Sequence, residues 1–151
     1  MTTPALDPPP LTPDGTAGPP GTPDTPPRGA RSAAARRALG DYGERVAARH
    51  LLDRGLVLLA RNWRCPEGEL DLVLRDGAVL VGCEVKTRTG VVGGTPHEAI
   101  TPAKLARLHR LIDRFAHEHG LADRDRRVDL VAVHRPRQGA AVVEHVVGLA
   151  S

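Results

Sequence analysis

Between Gly68 and Arg88 the chain sets two apolar runs around one Asp-Gly pair, and a β-hairpin is the simplest fold for such a stretch. Leu70–Leu74 and Ala78–Val81 are the apolar runs, and Asp76-Gly77 lies between them. Asp-Gly suits a tight hairpin loop because both residues tolerate positive φ. With Asp76-Gly77 as the loop, Arg75 pairs with Ala78 and Asp71 lies opposite Gly82. Glu84 is then the diagonal neighbour of Asp71, roughly 7–8 Å away. Alternation along the strands places Glu69, Asp71, Glu84, Lys86 and Arg88 on one face. Leu70, Leu72, Cys83 and Val85 share the other face. Gly82, opposite Asp71, leaves open space above the sheet for an ion or a phosphate.

Three carboxylates on one face repel one another. A divalent cation relieves that repulsion, and Mg²⁺ takes oxygen ligands while keeping several waters. Lys86 adds a compact cation that can orient a water or face a developing negative charge. Carboxylates, a hard metal and a neighbouring lysine suit phosphodiester hydrolysis. The plainer alternative is a solvated polar sheet face with a salt bridge, since hairpins often expose one face.

Ten of the fourteen prolines lie in residues 1–30, a segment with almost no large apolar side chain. Such a segment cannot bury enough surface to offset its ordering entropy, so residues 1–31 read as a disordered Pro-rich tail and 32–151 as one folded domain. The tail lacks the basic start and apolar centre of a signal peptide. No stretch of the sequence approaches the length of a membrane-spanning helix, so the expected location is cytoplasmic. Asp7, Asp14, Asp24 and Arg28 give residues 1–30 a charge of −2, so with an overall +3 residues 31–151 carry +5. A modestly basic domain around an acidic pocket fits a polyanionic partner, although ordinary solubility explains the charge equally well.

Cys65 and Cys83 stand alone, matching neither a zinc pattern nor a disulfide framework, and Cys83 reads as a buried thiol. The seven histidines are scattered. His97 beside Glu98, and His117 with His119, read as surface or helix-terminal residues rather than metal ligands. Lysine usage is more telling, because the chain has nineteen arginines and only two lysines, Lys86 and Lys104. Lysine in such a composition suggests positions where arginine would not serve.

Helical periodicity covers 32–54, with Leu39, Gly43, Val46, Ala47 and Leu51 in one stripe. Glu44 lies beside that stripe and therefore needs a partner. A strand follows over 56–64, then a turn at Cys65-Pro66-Glu67-Gly68 into the hairpin. After the Gly-rich segment 91–96, Thr101-Pro102 opens a second helix as N-cap and first helical residue. Leu105, Leu108, Leu111, Ile112 and Phe115 are its apolar stripe, and Lys104, Arg107, Arg110 and Arg114 flank it. Strands over 128–133 and 141–147 complete an α-β-β-β-α-β-β order, an α/β sheet with helices packed on it.

Taken together, these blocks resemble a known family. Gly43-Glu44, Arg61-Asn62-Trp63-Arg64, Gly68-Glu69-Leu70-Asp71, Cys83-Glu84-Val85-Lys86-Thr87-Arg88 and Thr95-Pro96-His97-Glu98-Ala99-Ile100 with Lys104 look like the bacterial YraN family. Their order is also similar to that of archaeal Holliday-junction resolvases, within the restriction-endonuclease-like, or PD-(D/E)xK, superfamily. The resemblance covers about residues 38–149. It implies a restriction-endonuclease-like core with a mixed sheet flanked by helices. It also implies that Asp71 and Glu84 bind Mg²⁺ or Mn²⁺, with the Val85 carbonyl and Glu44 as further ligands. Lys86 matches the motif lysine, and Glu69 supports a ligand or a water. Arg88, Lys104 and Arg64 are candidates for phosphate contacts. Gly82-Cys83 depart from the larger apolar pair usual in the family, which bears on packing.

The leading expectation is a metal-dependent endonuclease acting on branched or otherwise structured DNA. The second is a nucleic-acid-binding module that keeps the pocket without cleaving. A third is an adaptor whose tail docks a partner through polyproline recognition, weakened by the absence of basic residues before Arg28. Three aromatic residues, Tyr42, Trp63 and Phe115, are too few for single-strand binding by base stacking. A homodimer would suit cleavage of two strands.

Overall fold

A computed structural model describes residues 28–90, Thr95 and 100–150. Residues 1–27 of the tail, and with them the adaptor reading, lie outside the described residues, as do His97 and Glu98, whereas 28–31, expected in the tail, are helical.

The elements follow the expected order: α1 (Arg28–Asp53), β1 (Val57–Cys65), β2 (Gly68–Asp76), β3 (Val79–Thr89), α2 (Pro102–Glu118), β4 (Arg126–Arg135) and β5 (Val142–Val146). Helix α1 begins before residue 32, because the Ala- and Arg-rich run from Arg28 consists largely of strong helix formers. Helix α2 starts as its sequence dictates. Thr101 caps it by accepting the Lys104 N–H, and Pro102 follows in the first turn.

The five strands form one sheet in chain order. Strands β3 and β4 run parallel, with α2 as their crossover, and the other pairs are antiparallel. The sheet is therefore mixed, and the two helices pack against opposite sides. Ala47, Ala48 and Leu51 of α1 bury against Leu72, Leu74, Val81, Cys83, Val131 and Val133. Leu105, Leu108, Leu111, Ile112 and Phe115 of α2 bury against Leu70, Val73, Leu80 and Val128. Each such aliphatic side chain contributes about 1.5–3 kcal/mol when fully buried. Covering both faces explains why Leu72, Val73 and Leu74 form an unbroken apolar run, all fully buried.

The hairpin differs from its expected register by one residue on each side. Asp76 pairs with Val79, so Gly77-Ala78 is the loop, and Gly77 takes φ 56. This is the loop style with glycine first, which requires positive φ at that position and not at Asp76. Because the loop still has two residues, the face assignments along β3 survive. Gly82, however, lies opposite Val73 rather than Asp71. The space above it is also not open: a Cβ there would come within 3.2 Å of Ile112 Cβ. Glycine at 82 serves the close approach of α2 to the sheet.

Candidate active site

The β2–β3 ladder stops at Leu72 and Cys83, although both strands continue beyond it. Strand β2 runs on beside β1 to Gly68, and β3 runs on beside β4 to Thr89. The two central strands part here, and Asp71 stands at the fork. Its Oδ2 accepts the N–H of Val85 at 2.8 Å, a donor that no longer meets a β2 carbonyl.

The fork has a second origin in β1. Asn62 adopts φ 47, the left-handed region that Asn tolerates better than most residues. Its neighbours in the ladder, Arg61 and Trp63, pair with Leu72 and Leu70, so Asn62 and Asp71 face each other where regular pairing lapses. The alternation breaks at this point. Leu72 packs under α1 while Leu70 packs under α2 beside Trp63. The expectation that Leu70 shares a face with Leu72 is therefore corrected: the local kink at Asn62 and Asp71 turns the strand over.

The same asparagine anchors Glu44. Asn62 Nδ2 donates to Glu44 Oε2 at 2.9 Å, supplying the partner that a glutamate beside a buried stripe needs. Helix α1 comes close enough to present Glu44 because residue 43 is glycine. A Cβ there would meet Thr87 Oγ1 at 1.7 Å. Trp63, next to Asn62, packs edge-on against Phe115 of α2 with ring centroids 5.5 Å apart. Arg64 is paired with Glu69 across the β1–β2 ladder at 2.8 Å.

Glu84 is buried, with 7 % of its surface exposed. Its Oε1 receives Lys104 Nζ from the first turn of α2, and Lys86 Nζ stands 4.0 Å from the same oxygen. The only two lysines of the chain thus converge on one carboxylate. Arg88 is exposed further along β3. The burial of Glu84 rules out the solvated polar face for the centre of this cluster.

Burial pushes the pKa of Asp71 up to about 7, reinforced by the charge of Glu84 and then those of Glu44 and Glu69, against the opposing Val85 N–H. Burial also raises Glu44, with Asn62 opposing and Asp41 and Glu69 adding. Four acids therefore feel one another across the fork.

Among the described residues no three His, Cys, Asp or Glu side chains form a ready-made metal cage. Mg²⁺ does not require one, because it keeps its waters and uses one or two carboxylates together with substrate phosphates. Asp71 and Glu84 provide such oxygens, and a divalent cation relieves the repulsion that adds to burial in raising Asp71. These two residues fit Mg²⁺ or Mn²⁺. Glu44 is held by Asn62, and the contact that Val85 makes here is its N–H rather than its carbonyl.

Sequence reasoning missed a second polar centre beneath α1. Asp129 is fully buried in β4. It accepts from Arg127, from His145 Nε2 at 2.9 Å and from the Gly148 N–H at 2.9 Å. Burial would raise its pKa, but the bonds from His145, Arg127 and Gly148 outweigh it and hold the pKa below the ordinary value. The visible signal was one aspartate inside the apolar run Val128–Val133. His117 and His119 bond to carbonyls of their own helix, as expected of helix-terminal residues. Cys83 is a buried free thiol.

The model of the uncharacterised protein family UPF0102 matches residues 43–133, a span that includes both α1 Glu44 and the whole fork. The chain belongs to the UPF0102 family. This is the YraN family whose motifs the sequence resembled. A UPF0102 protein of a Nocardioides species is 60 % identical over 118 residues, covering 78 % of this chain and 95 % of the relative. That of Beutenbergia cavernae is 56 % identical over 115 residues, covering 76 % and 98 %. That of Streptomyces coelicolor is 52 % identical over 118 residues, covering 77 % and 91 %. No helix among the described residues is long and apolar enough to cross a membrane.

Proposed function

We propose that this UPF0102 protein is a metal-dependent endonuclease of the restriction-endonuclease-like class, hydrolysing DNA phosphodiester bonds, with branched or structured DNA as the preferred substrate. One observation carries the reading: Asp71, half-buried, and Glu84, buried, meet where two central strands part, mutually repelling and next to a lysine. Such an arrangement costs stability unless something positive uses it. A bound Mg²⁺ or Mn²⁺ would lower the pKa of a water and screen charge on the phosphate.

The protein's own groups then divide the work. Asp71 and Glu84 hold the cation, and the Val85 N–H keeps Asp71 in its rotamer. Lys86, more exposed than Glu84, orients the attacking water or faces the developing negative charge. Arg107 and Arg110 lie exposed along α2, and with Arg64 and Arg88 they offer positive charge to the DNA backbone. DNA read this way is recognised by charge and shape, so binding is salt-sensitive. A homodimer would place two such centres on two strands.

A second reading has its own support. Glu84 is already neutralised by Lys104, as it would be in a nucleic-acid-binding module that does not cleave. Cleavage of a panel of duplex, single-stranded and four-way-junction DNA with Mn²⁺ separates the two. The nuclease reading expects cutting by wild type, loss in Asp71→Ala and Glu84→Ala, and impairment in Lys86→Arg. DNA bound but left intact by the wild type favours the second reading. Equal cutting by Glu84→Ala removes the site assignment.

A further inference from the structure

Lys104 stands in a place that disfavours a cation. It lies in the first turn of α2, two residues after Pro102, where the helix dipole favours acids and where this helix has none. Its side chain is half-buried, with 27 % exposed. What holds it there is Glu84. The carboxylate that fits a divalent cation is thus covered by a cation from the protein itself, while Lys86 stays 4.0 Å off.

The residue type matters. In a chain with nineteen arginines, an arginine at 104 would be the ordinary choice. Its planar fork would grip the carboxylate in a two-pronged pair that is hard to break. A lysine ammonium is a point charge on a flexible stem, able to hold the carboxylate and then leave it.

Resting on the nuclease reading above, we propose that Lys104 is a displaceable counter-ion: it keeps Glu84 neutralised in the metal-free protein and releases it when the divalent cation binds. Lys104 is a positioning residue, acting through Glu84. It offsets part of the charge of Glu84 without a metal, and it sets a threshold for metal loading. Freed from Glu84, its ammonium lies at the positive end of α2, where a DNA phosphate can accept from it. Loading of the metal and readiness for a phosphate are thereby linked.

Because the chain holds only two lysines, isotope-labelled lysine gives just two side-chain ammonium signals. Lys86→Arg assigns them by leaving one. In the full-length metal-free protein the Lys104 signal is expected to exchange slowly with water. Saturating Mg²⁺ should move it to the position it has in Glu84→Gln, where it has lost its carboxylate. Calorimetry alongside reports whether Mg²⁺ binds. Mg²⁺ bound with the Lys104 signal unmoved overturns this proposal and leaves the nuclease reading standing. No Mg²⁺ binding beyond that of Asp71→Asn overturns that reading and this proposal with it. Two variants give an independent test. Lys104→Met should tighten Mg²⁺ binding about tenfold, the size of one competing charge at a half-buried site, while Lys104→Arg should weaken it. A purely structural lysine would leave the arginine variant unchanged, and equal affinities in all three proteins refute the competition.

Discussion

Replacing Asp71 by Asn removes one negative charge from the fork and keeps an oxygen to accept the Val85 N–H. The folded protein holds a proton on Asp71 up to about pH 7, whereas the unfolded chain gives it up near the ordinary value of 3.8. Between those two values the folded state binds more protons than the unfolded state. Stability of the metal-free protein therefore falls as pH rises through this window and levels off above it. At about 1.4 kcal/mol per pH unit, and with Asp71 only half-buried, the loss is on the order of 2–4 kcal/mol. Asp71→Asn lacks that loss. Urea denaturation of both proteins in chelator, from about pH 4 to about pH 8, reads the difference directly, and the linear extrapolation gives each stability. The two should be close in acid, and the variant should be more stable by roughly 2–4 kcal/mol at the alkaline end. Groups common to both proteins cancel in the comparison. A difference that stays constant across the window would refute the burial and repulsion argued for Asp71.

Gly43→Ala should lower stability by about 1–3 kcal/mol despite alanine's better helix propensity, because its Cβ overlaps Thr87, and thermal unfolding reads the loss. Thr87→Ala should restore only part of it, since the Thr87 Cβ is itself 2.8 Å from the new atom. Asp129→Ala should cost roughly 3–5 kcal/mol by leaving the His145 ring and the Gly148 N–H without their acceptor and half-buried Arg127 with Asp76 alone, measured by denaturant titration at neutral pH. With its pKa held low, the contribution of Asp129 is present above the ordinary carboxylate value and is lost only as pH falls through the folded value, so wild type and Asp129→Ala should converge in strong acid. Arg107→Ala and Arg110→Ala should each weaken duplex binding and make its salt dependence shallower by about 0.9 for every phosphate no longer neutralised, read from binding constants across a salt series. An unchanged slope would mean that those arginines face solvent rather than DNA.

The element order was legible because periodicity and punctuation agree in this chain. Thr101-Pro102 starts α2, and its leucine stripe repeats cleanly enough to name every major packing residue. The convergence of Asp71, Glu84 and Lys86 followed from strand parity, which a loop of two residues preserves wherever it is centred. What was not legible depends on atoms far apart in sequence. The position of the loop turned on which of Asp76 and Gly77 took positive φ, and both tolerate it. The open space above Gly82 vanished because Ile112, thirty residues later, fills it. The kink at Asn62 inverted Leu70, and no alternation pattern announces an inversion. The Lys104–Glu84 pair needs the crossover helix to deliver its first turn onto β3, which topology decides and spacing does not. The Asp129 centre could have been suspected, because a charge inside an apolar strand needs partners.

Mn²⁺ binding to the metal-free protein tests the proposed cation site at Asp71 and Glu84 without reference to any substrate. Titration followed by electron paramagnetic resonance counts bound Mn²⁺ in wild type, Asp71→Asn and Glu84→Gln. Saturable binding by wild type, lost or greatly weakened in both variants with the fold intact in each, is the expected result. Mn²⁺ bound equally by all three proteins, or by none of them, would contradict it.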